Sequence, residues 1–209
     1  REYISTGNKY GGSTAVDQSG DIYIAGLQTT YPANYTEGLL TKLDGTTNSI
    51  DWSNVLAPPT SHYYTDSSLT DVEVDSSGNI YATAYSHNPS DNHLYKVNDS
   101  GVVLWEKNLG GGRGRGSDGY SSSVTLDSND NAYALNNDGV LQQFAPDGTP
   151  GWSTDLTPGN DQLGFSDLLM KDGNIYGIGP VSHPHTTLPP TLYGYLQGGD
   201  GSVNNNSSN

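Results

Sequence analysis

Four times along the chain a short polar turn opens into a strand-like run carrying a tyrosine. The runs are Asp17-Gln18-Ser19-Gly20-Asp21-Ile22-Tyr23-Ile24, Asp75-Ser76-Ser77-Gly78-Asn79-Ile80-Tyr81-Ala82, Asp127-Ser128-Asn129-Asp130-Asn131-Ala132-Tyr133-Ala134 and Lys171-Asp172-Gly173-Asn174-Ile175-Tyr176-Gly177. Their tyrosines Tyr23, Tyr81, Tyr133 and Tyr176 lie 58, 52 and 43 residues apart. A repeat of that period is one supersecondary unit, which buries its apolar face only by stacking on its neighbours. Asp, Gly and Asn supply the turn, and the period-two alternation behind it predicts a half-buried strand.

Each unit continues in the same way, through a connecting loop expected at Leu27 to Gly38 in unit one and at His87 to His93 in unit two. A third strand is expected at Leu39–Leu43, Leu94–Val97, Val140–Phe144 and Leu192–Leu196, and a fourth at Trp52-Ser53-Asn54-Val55-Leu56, Trp105-Glu106-Lys107-Asn108-Leu109 and Trp152-Ser153-Thr154-Asp155-Leu156. Short turns between consecutive strands imply antiparallel pairing. Four strands per unit and four units predict an all-β, four-bladed β-propeller. Unit four has no Trp strand after Leu196, and Tyr3-Ile4-Ser5-Thr6-Gly7 stands where that strand belongs, so the N-terminal strand is expected to complete the last blade and remove an open edge. Residues 1–203 then form a single β-propeller domain and residues 204–209 a flexible Asn/Ser-rich tail. The same signals admit an open half-ring that dimerises into eight blades, a strand-swapped homodimer, or a fragment of a longer array.

Charge narrows the partners. The 209 residues include 23 acidic and 8 basic side chains, a formal net charge of -15. Such a chain repels nucleic-acid backbones and anionic membrane surfaces, so neither nucleic-acid binding nor membrane insertion is expected. It has no cysteine, which excludes a thiol nucleophile, a disulfide framework and a Cys-based zinc site.

The residues from Asp17 to Gly26, Thr41-Lys42-Leu43, Asp75 to Ala84, Tyr95-Lys96-Val97, Asp127 to Leu135 and Asn174 to Gly179 together resemble the SBBP class of bacterial β-propeller repeats. The pattern is an Asp-x-x-Gly-Asn-x-Tyr turn and strand, a Lys-Leu strand and a Trp/Tyr strand; unit three departs from it by placing Asp130 where the turn glycine stands. NHL-like and quinoprotein-like propellers agree less well. The resemblance implies a repeat protein secreted by, or displayed on the surface of, a bacterium, and says little about activity.

Function is therefore sought in the loops that differ between units. Tyr31, Tyr35, His62, Tyr63, Tyr64, Asp66, His87, His93, Tyr120, His183 and His185 fall in or beside connections expected on one face of the ring. Flat aromatic surfaces bordered by polar groups suit sugars or polar peptides. These residues predict a non-catalytic binding or adhesion module for a glycan or a surface protein. A carbohydrate-active hydrolase or lyase using loop Asp and His residues is the enzymatic alternative, although no Gly-x-Ser-x-Gly segment or triad stands out. A structural, oligomer-forming propeller without a small ligand is the third. No cofactor is expected. The Asp-rich turns lack the twelve-position EF-hand spacing and read as β-turns, which leaves a central-channel cation or Ca2+ as the metal alternative.

Overall fold

A computed structural model describes residues 9–30, 35–56, 67–87, 90–111, 122–156, 167–179 and 192–196. Blade 1 comprises β1 (Lys9–Val16), β2 (Ile22–Thr30), β3 (Tyr35–Leu43) and β4 (Ile50–Val55). Blade 2 comprises β5 (Ser67–Val74), β6 (Ile80–His87), β7 (Ser90–Val97) and β8 (Val103–Gly110). Blade 3 comprises β9 (Ser123–Leu126), β10 (Ala132–Leu135), β11 (Val140–Phe144) and β12 (Pro150–Asp155). Blade 4 comprises β13 (Asp167–Lys171), β14 (Asn174–Gly179) and β15 (Leu192–Leu196). The first three sheets run in sequence order and are antiparallel throughout. Their first strands pack on one another in succession, β1 on β5, β5 on β9 and β9 on β13, which is the arrangement of a four-bladed propeller.

The expected hairpins form because each turn satisfies itself. Asp75 Oδ1 accepts the Ser77 and Asn79 amides at 2.9 and 2.8 Å, and the Asp127 carboxylate holds Asn129 and Asn131 in the same way. Gly20, Gly78 and Asp130 all have positive φ, at 91°, 80° and 60°. An aspartate at the glycine position keeps the left-handed turn because Asp tolerates that region better than most residues. Behind the turns, register builds a Tyr–Lys–Trp rung across three strands: Tyr23 opposite Lys42 opposite Trp52, and Tyr81 opposite Lys96 opposite Trp105.

Apolar clusters sit between blades rather than within them. Tyr23, Ala25, Leu40 and Leu56 of blade 1 pack with Leu69, Val72, Ile80, Ala82, Tyr95 and Val97 of blade 2. Tyr81, Leu94 and Leu109 pack with Val124, Ala132, Ala134 and Phe144, and Leu135, Leu141 and Leu156 with Leu168 and Ile175. Burial of one blade's face on the next is the stabilising area, worth roughly 25 cal/mol per Å2 of apolar surface.

The structure corrects three expectations. The loop expected from Leu27 to Gly38 narrows, because β2 and β3 extend to Thr30 and Tyr35, with Gln28 Nε2 donating to Glu37 Oε2 at 3.1 Å across the extended pair. The loop expected from His87 to His93 likewise shrinks to residues 88–89, since β7 begins at Ser90. In blade 4, β14 and β15 pair in parallel, where the other blades pair their second and third strands antiparallel. The expected N-terminal closing strand and the tail lie outside the described residues, among which no helix is long and apolar enough to cross a membrane.

Candidate functional site at the propeller axis

The first strand of each blade has one edge paired within its sheet and the other turned to the axis, where its amides have no strand to bond. Side chains of the neighbouring first strands take that role. In β1 and β5 a bulge, between Gly11 and Ser13 and between Leu69 and Asp71, shifts the alternation by one residue and re-aims the side chains beyond it. Ser13, Asp71, Ser123 and Asp167 then stand at one level, each four positions before the turn residues Asp17, Asp75, Asp127 and Lys171.

Asp71 is the centre of this level. Its Oδ1 accepts from Ser13 Oγ at 2.8 Å and from its neighbour's amide, Val72 N, at 2.9 Å. Its Oδ2 accepts from Ser123 Oγ at 2.7 Å and from Val124 N at 2.9 Å. Three blades therefore meet on one carboxylate. Ser123 Oγ also lies 3.2 Å from Asp167 Oδ1 and accepts from Leu168 N at 3.1 Å. Its single proton goes to the nearer carboxylate, Asp71, at any instant. Next along β9, Thr125 Oγ1 accepts Met170 N at 3.0 Å.

Glu73 stands two residues beyond Asp71 on the same face of β5. Burial, then the negative charges of Asp71 and Asp167, push its carboxyl up to about 7. Near neutral pH it is thus a carboxylic acid able to hold or release a proton beside two other carboxyl groups.

A second acidic group lies at the turn end of blade 1. Asp17, Asp21 and Asp99 bring one carboxylate oxygen each within 4.8 Å of one another, a spacing a cation could bridge. Lys42 already sits among them, its Nζ 3.0 Å from Asp21 Oδ2 and bonded to Asp99. Tyr23 OH donates to Asp99 Oδ1 at 2.8 Å and lies 3.2 Å from Asp17 Oδ2. The hydrogen bond from Lys42, then that from Tyr23, holds the Asp99 carboxyl below its usual range. The Lys42 ammonium offsets one of the three carboxylate charges.

Of the residues expected to bind ligand, Tyr31, His62, Tyr63, Tyr64, Asp66, Tyr120, His183 and His185 lie outside the described residues. Tyr35 opens β3 opposite Thr30, and His87 closes β6 opposite Ser90, both at the end of the blades where the first strands begin. His93 is different from its expected place beside a loop. It is a buried residue of β7, its Nδ1 2.8 Å from Glu106 Oε1 and its ring stacked 6.2 Å from Tyr95, whose hydroxyl donates to the same carboxylate. Asp71, Glu73, Ser123 and Asp167 do not stand out in the sequence as site residues. The signal that could have found Asp71, Ser123 and Asp167 is the recurrence of Ser or Asp four residues before each turn, a position Ser13 shares.

No protein-family model matches the chain, and no curated protein sequence does. Among solved structures it is similar to a protein of unknown function from Bacteroides caccae, with 15% identity and a TM-score of 0.52 over 80% of this chain and 52% of that one. It is similar also to BamB from Moraxella catarrhalis, with 15% identity and a TM-score of 0.51 over 80% of this chain and 43% of that one. An exo-β-1,3-galactanase from Clostridium thermocellum, 1,3Gal43A, aligns at 14% identity and a TM-score of 0.47, over 75% and 37% of the two chains. The chain spans about half, or less, of the length of each. At such identity the likeness is one of fold: a distant resemblance to propeller proteins, and not to one repeat family in particular.

Proposed function

We propose that this propeller is a non-catalytic recognition module, of the bacterial SBBP repeat type, that works outside the cell or at its surface. It holds a polar ligand, a glycan, on the end of the blades where the second-to-third-strand connections and the starts of the first strands meet. One observation carries the reading. The repeated residues, Tyr23, Lys42, Trp52 and their counterparts, bond at the opposite end, in the turns that lock blade to blade. The connections at the ligand end differ from unit to unit and carry Tyr31, His62, Tyr63, Tyr64, His183 and His185, with Tyr35 and His87 at the strand ends that open on them. Aromatic groups outside the shared framework are free to serve recognition. A glycan array and a surface-polymer extract, each probed with the intact chain, test this. Selective binding that falls at least tenfold on Tyr35→Ala or Tyr63→Ala supports it, and the absence of any selective ligand ends it.

The cation expected from the sequence would be held at the turn end of blade 1, where Asp17, Asp21 and Asp99 converge and where it would have to share the carboxylates with Lys42.

A second reading, carbohydrate hydrolysis, rests on Glu73. An acid whose carboxyl is pushed up to about 7 beside two other carboxyl groups is a combination that glycoside cleavage uses. This moves the enzymatic alternative from the loop Asp and His residues to the axis. A panel of polysaccharides and chromogenic glycosides decides it: turnover that disappears in Glu73→Gln, with the fold retained, supports hydrolysis, and wild-type rates equal to the blank exclude it for those substrates.

A further inference from the structure

One repeated set of positions makes every blade-to-blade joint. The residue before each turn packs in one cluster with the preceding blade's tyrosine: Val74 with Tyr23 and Trp52, Leu126 with Tyr81 and Trp105, Met170 with Tyr133. The residue before each tyrosine, Ile80, Ala132 or Ile175, is buried in the same joints. Blade 1 carries the same set in Val16, Ile22, Ile24 and Leu43, and no described blade stands in front of it. Val16 is 62% exposed, and Ile22, Ile24 and Leu43 are only half-buried where Ile80, Ala82 and Val97 are 0% exposed.

Blade 4 bears the matching face at the far end of the array. Ile178 is 48% exposed at the position where Ala25, Thr83 and Leu135 are buried. The axis shows the same incompleteness. Asp71 is gripped by serines from both sides, Ser13 and Ser123, whereas Asp167 meets one serine, Ser123, and the amide of its own neighbour Leu168 among the described residues. No packing comparable to that of β1 on β5 joins β13 to β1.

We propose that a second copy of this chain docks its blade 1 on blade 4 of the first, and its blade 4 on blade 1 of the first. Two four-blade arrays then close one two-fold ring, with Ser13 of each copy reaching Asp167 of the other. The contact is self-complementary because the chain makes it three times internally, and a head-to-tail contact that closes after two copies gives a finite ring. Each chain carries a formal charge of -15, so an apolar joint between copies tightens as salt screens their repulsion.

The absence of cysteine makes a clean test available. Ser13→Cys and Asp167→Cys chains are purified separately, mixed and oxidised gently, and the double variant is oxidised alone. The expected result is a disulfide-linked species of about twice 22.2 kDa from the mixture, absent from either single variant by itself. The double variant also gives the linked dimer. A double variant that closes only within one chain shows blade 4 sealing its own blade 1 and overturns the proposal, as does failure to form any disulfide. Native mass spectrometry adds an independent measure: a wild-type dimer, strengthened by salt and reduced to monomer by Val16→Glu with an unchanged far-UV spectrum, is expected, and a wild-type monomer at tens of micromolar refutes it.

Discussion

The Trp52 indole of β4 donates to the backbone oxygen of Asp99 at 2.9 Å, which ties the outer strand of blade 1 to the last turn of blade 2. Trp105 repeats the bond one blade on, to Pro146 O at 3.2 Å. In both cases the indole lies over a left-handed glycine of the receiving turn, Gly101 at φ 81° and Gly148 at φ 84°. A tyrosine from the same blade closes each Trp from inside, Tyr23 at 6.3 Å and Tyr81 at 5.7 Å between centroids.

Gly101→Ala and Gly148→Ala should therefore be far worse than an alanine in an open turn. A Cβ at Gly148 would come within 3.2 Å of Trp105 and 2.9 Å of Lys107 Cε, and one at Gly101 within 3.3 Å of Trp52 and against Asn54 Nδ2. Gly20 and Gly78 also have positive φ but meet nothing within 4 Å. The open-turn variants carry only the backbone cost, about 1–2 kcal/mol, and the two under Trp about 1–3 kcal/mol more. Urea unfolding of all four variants measures the difference; equal losses would show that the indoles tolerate the intrusion.

Removing Lys96 should cost more than removing Lys42. Lys96 Nζ pairs with Asp75 Oδ2 at 3.0 Å, donates to Pro146 O at 3.1 Å and lies 4.7 Å from the Tyr81 ring centroid. Asp75 is 6% exposed, so Lys96→Met strands a buried carboxylate, at a cost of about 3 kcal/mol. Lys42 bonds to the exposed Asp99, which water can solvate in its absence, and Lys42→Met is expected to cost about 1 kcal/mol. Thermal unfolding of the two variants orders them.

Stability should decline as pH rises from 4.5 to 7, and Glu73 is the reason. Burial and the charges of Asp71 and Asp167 raise its folded value from 4.5 to about 7. A raised acid contributes its stability below the unfolded value and loses it as pH climbs through the folded one. Asp21, Asp44, Asp75, Asp99, Asp127 and Asp147 are lowered, so their opposite contribution is lost only as pH falls below about 4. Glu73→Gln should flatten the decline and gain on the order of 2 kcal/mol over the wild type at pH 8. Parallel pH profiles of the two proteins would rule Glu73 out as the source.

Asp71→Asn should destabilise more than Asp167→Asn. The first carboxylate gathers two hydroxyls and two amides from three blades, and its amide replacement turns one acceptor oxygen into a donor facing donors. A loss of about 2–3 kcal/mol is expected at Asp71 and about 1 kcal/mol at the exposed Asp167 in the isolated chain, read from denaturant midpoints.

The blade framework was legible because each of its parts is local. Asp75 and Gly78 announce a turn, Ile80 and Ala82 a face, and Trp105 recurs at a fixed distance behind them. The axis was not legible in the same way. Asp71 and Ser123 are 52 residues apart, and what joins them is a bulge after Leu69 that no composition rule announces. His93 looked like a loop residue because Asn92 and Asp91 beside it are turn-formers by preference. Pairing with Ala84 and Asn108 overrides that preference, and Glu106 supplies the partner that lets the imidazole be buried.

The two indole bonds divide the joints into unequal classes. Blades 1 and 2 are fastened through Trp52 and blades 2 and 3 through Trp105, while Trp152 is 42% exposed and packs only on Tyr133 of its own blade among the described residues. Under a pulling force, separating blade 1 from blade 2 or blade 2 from blade 3 would require breaking an indole hydrogen bond together with the apolar packing beneath it, so those two joints give way as units rather than strand by strand.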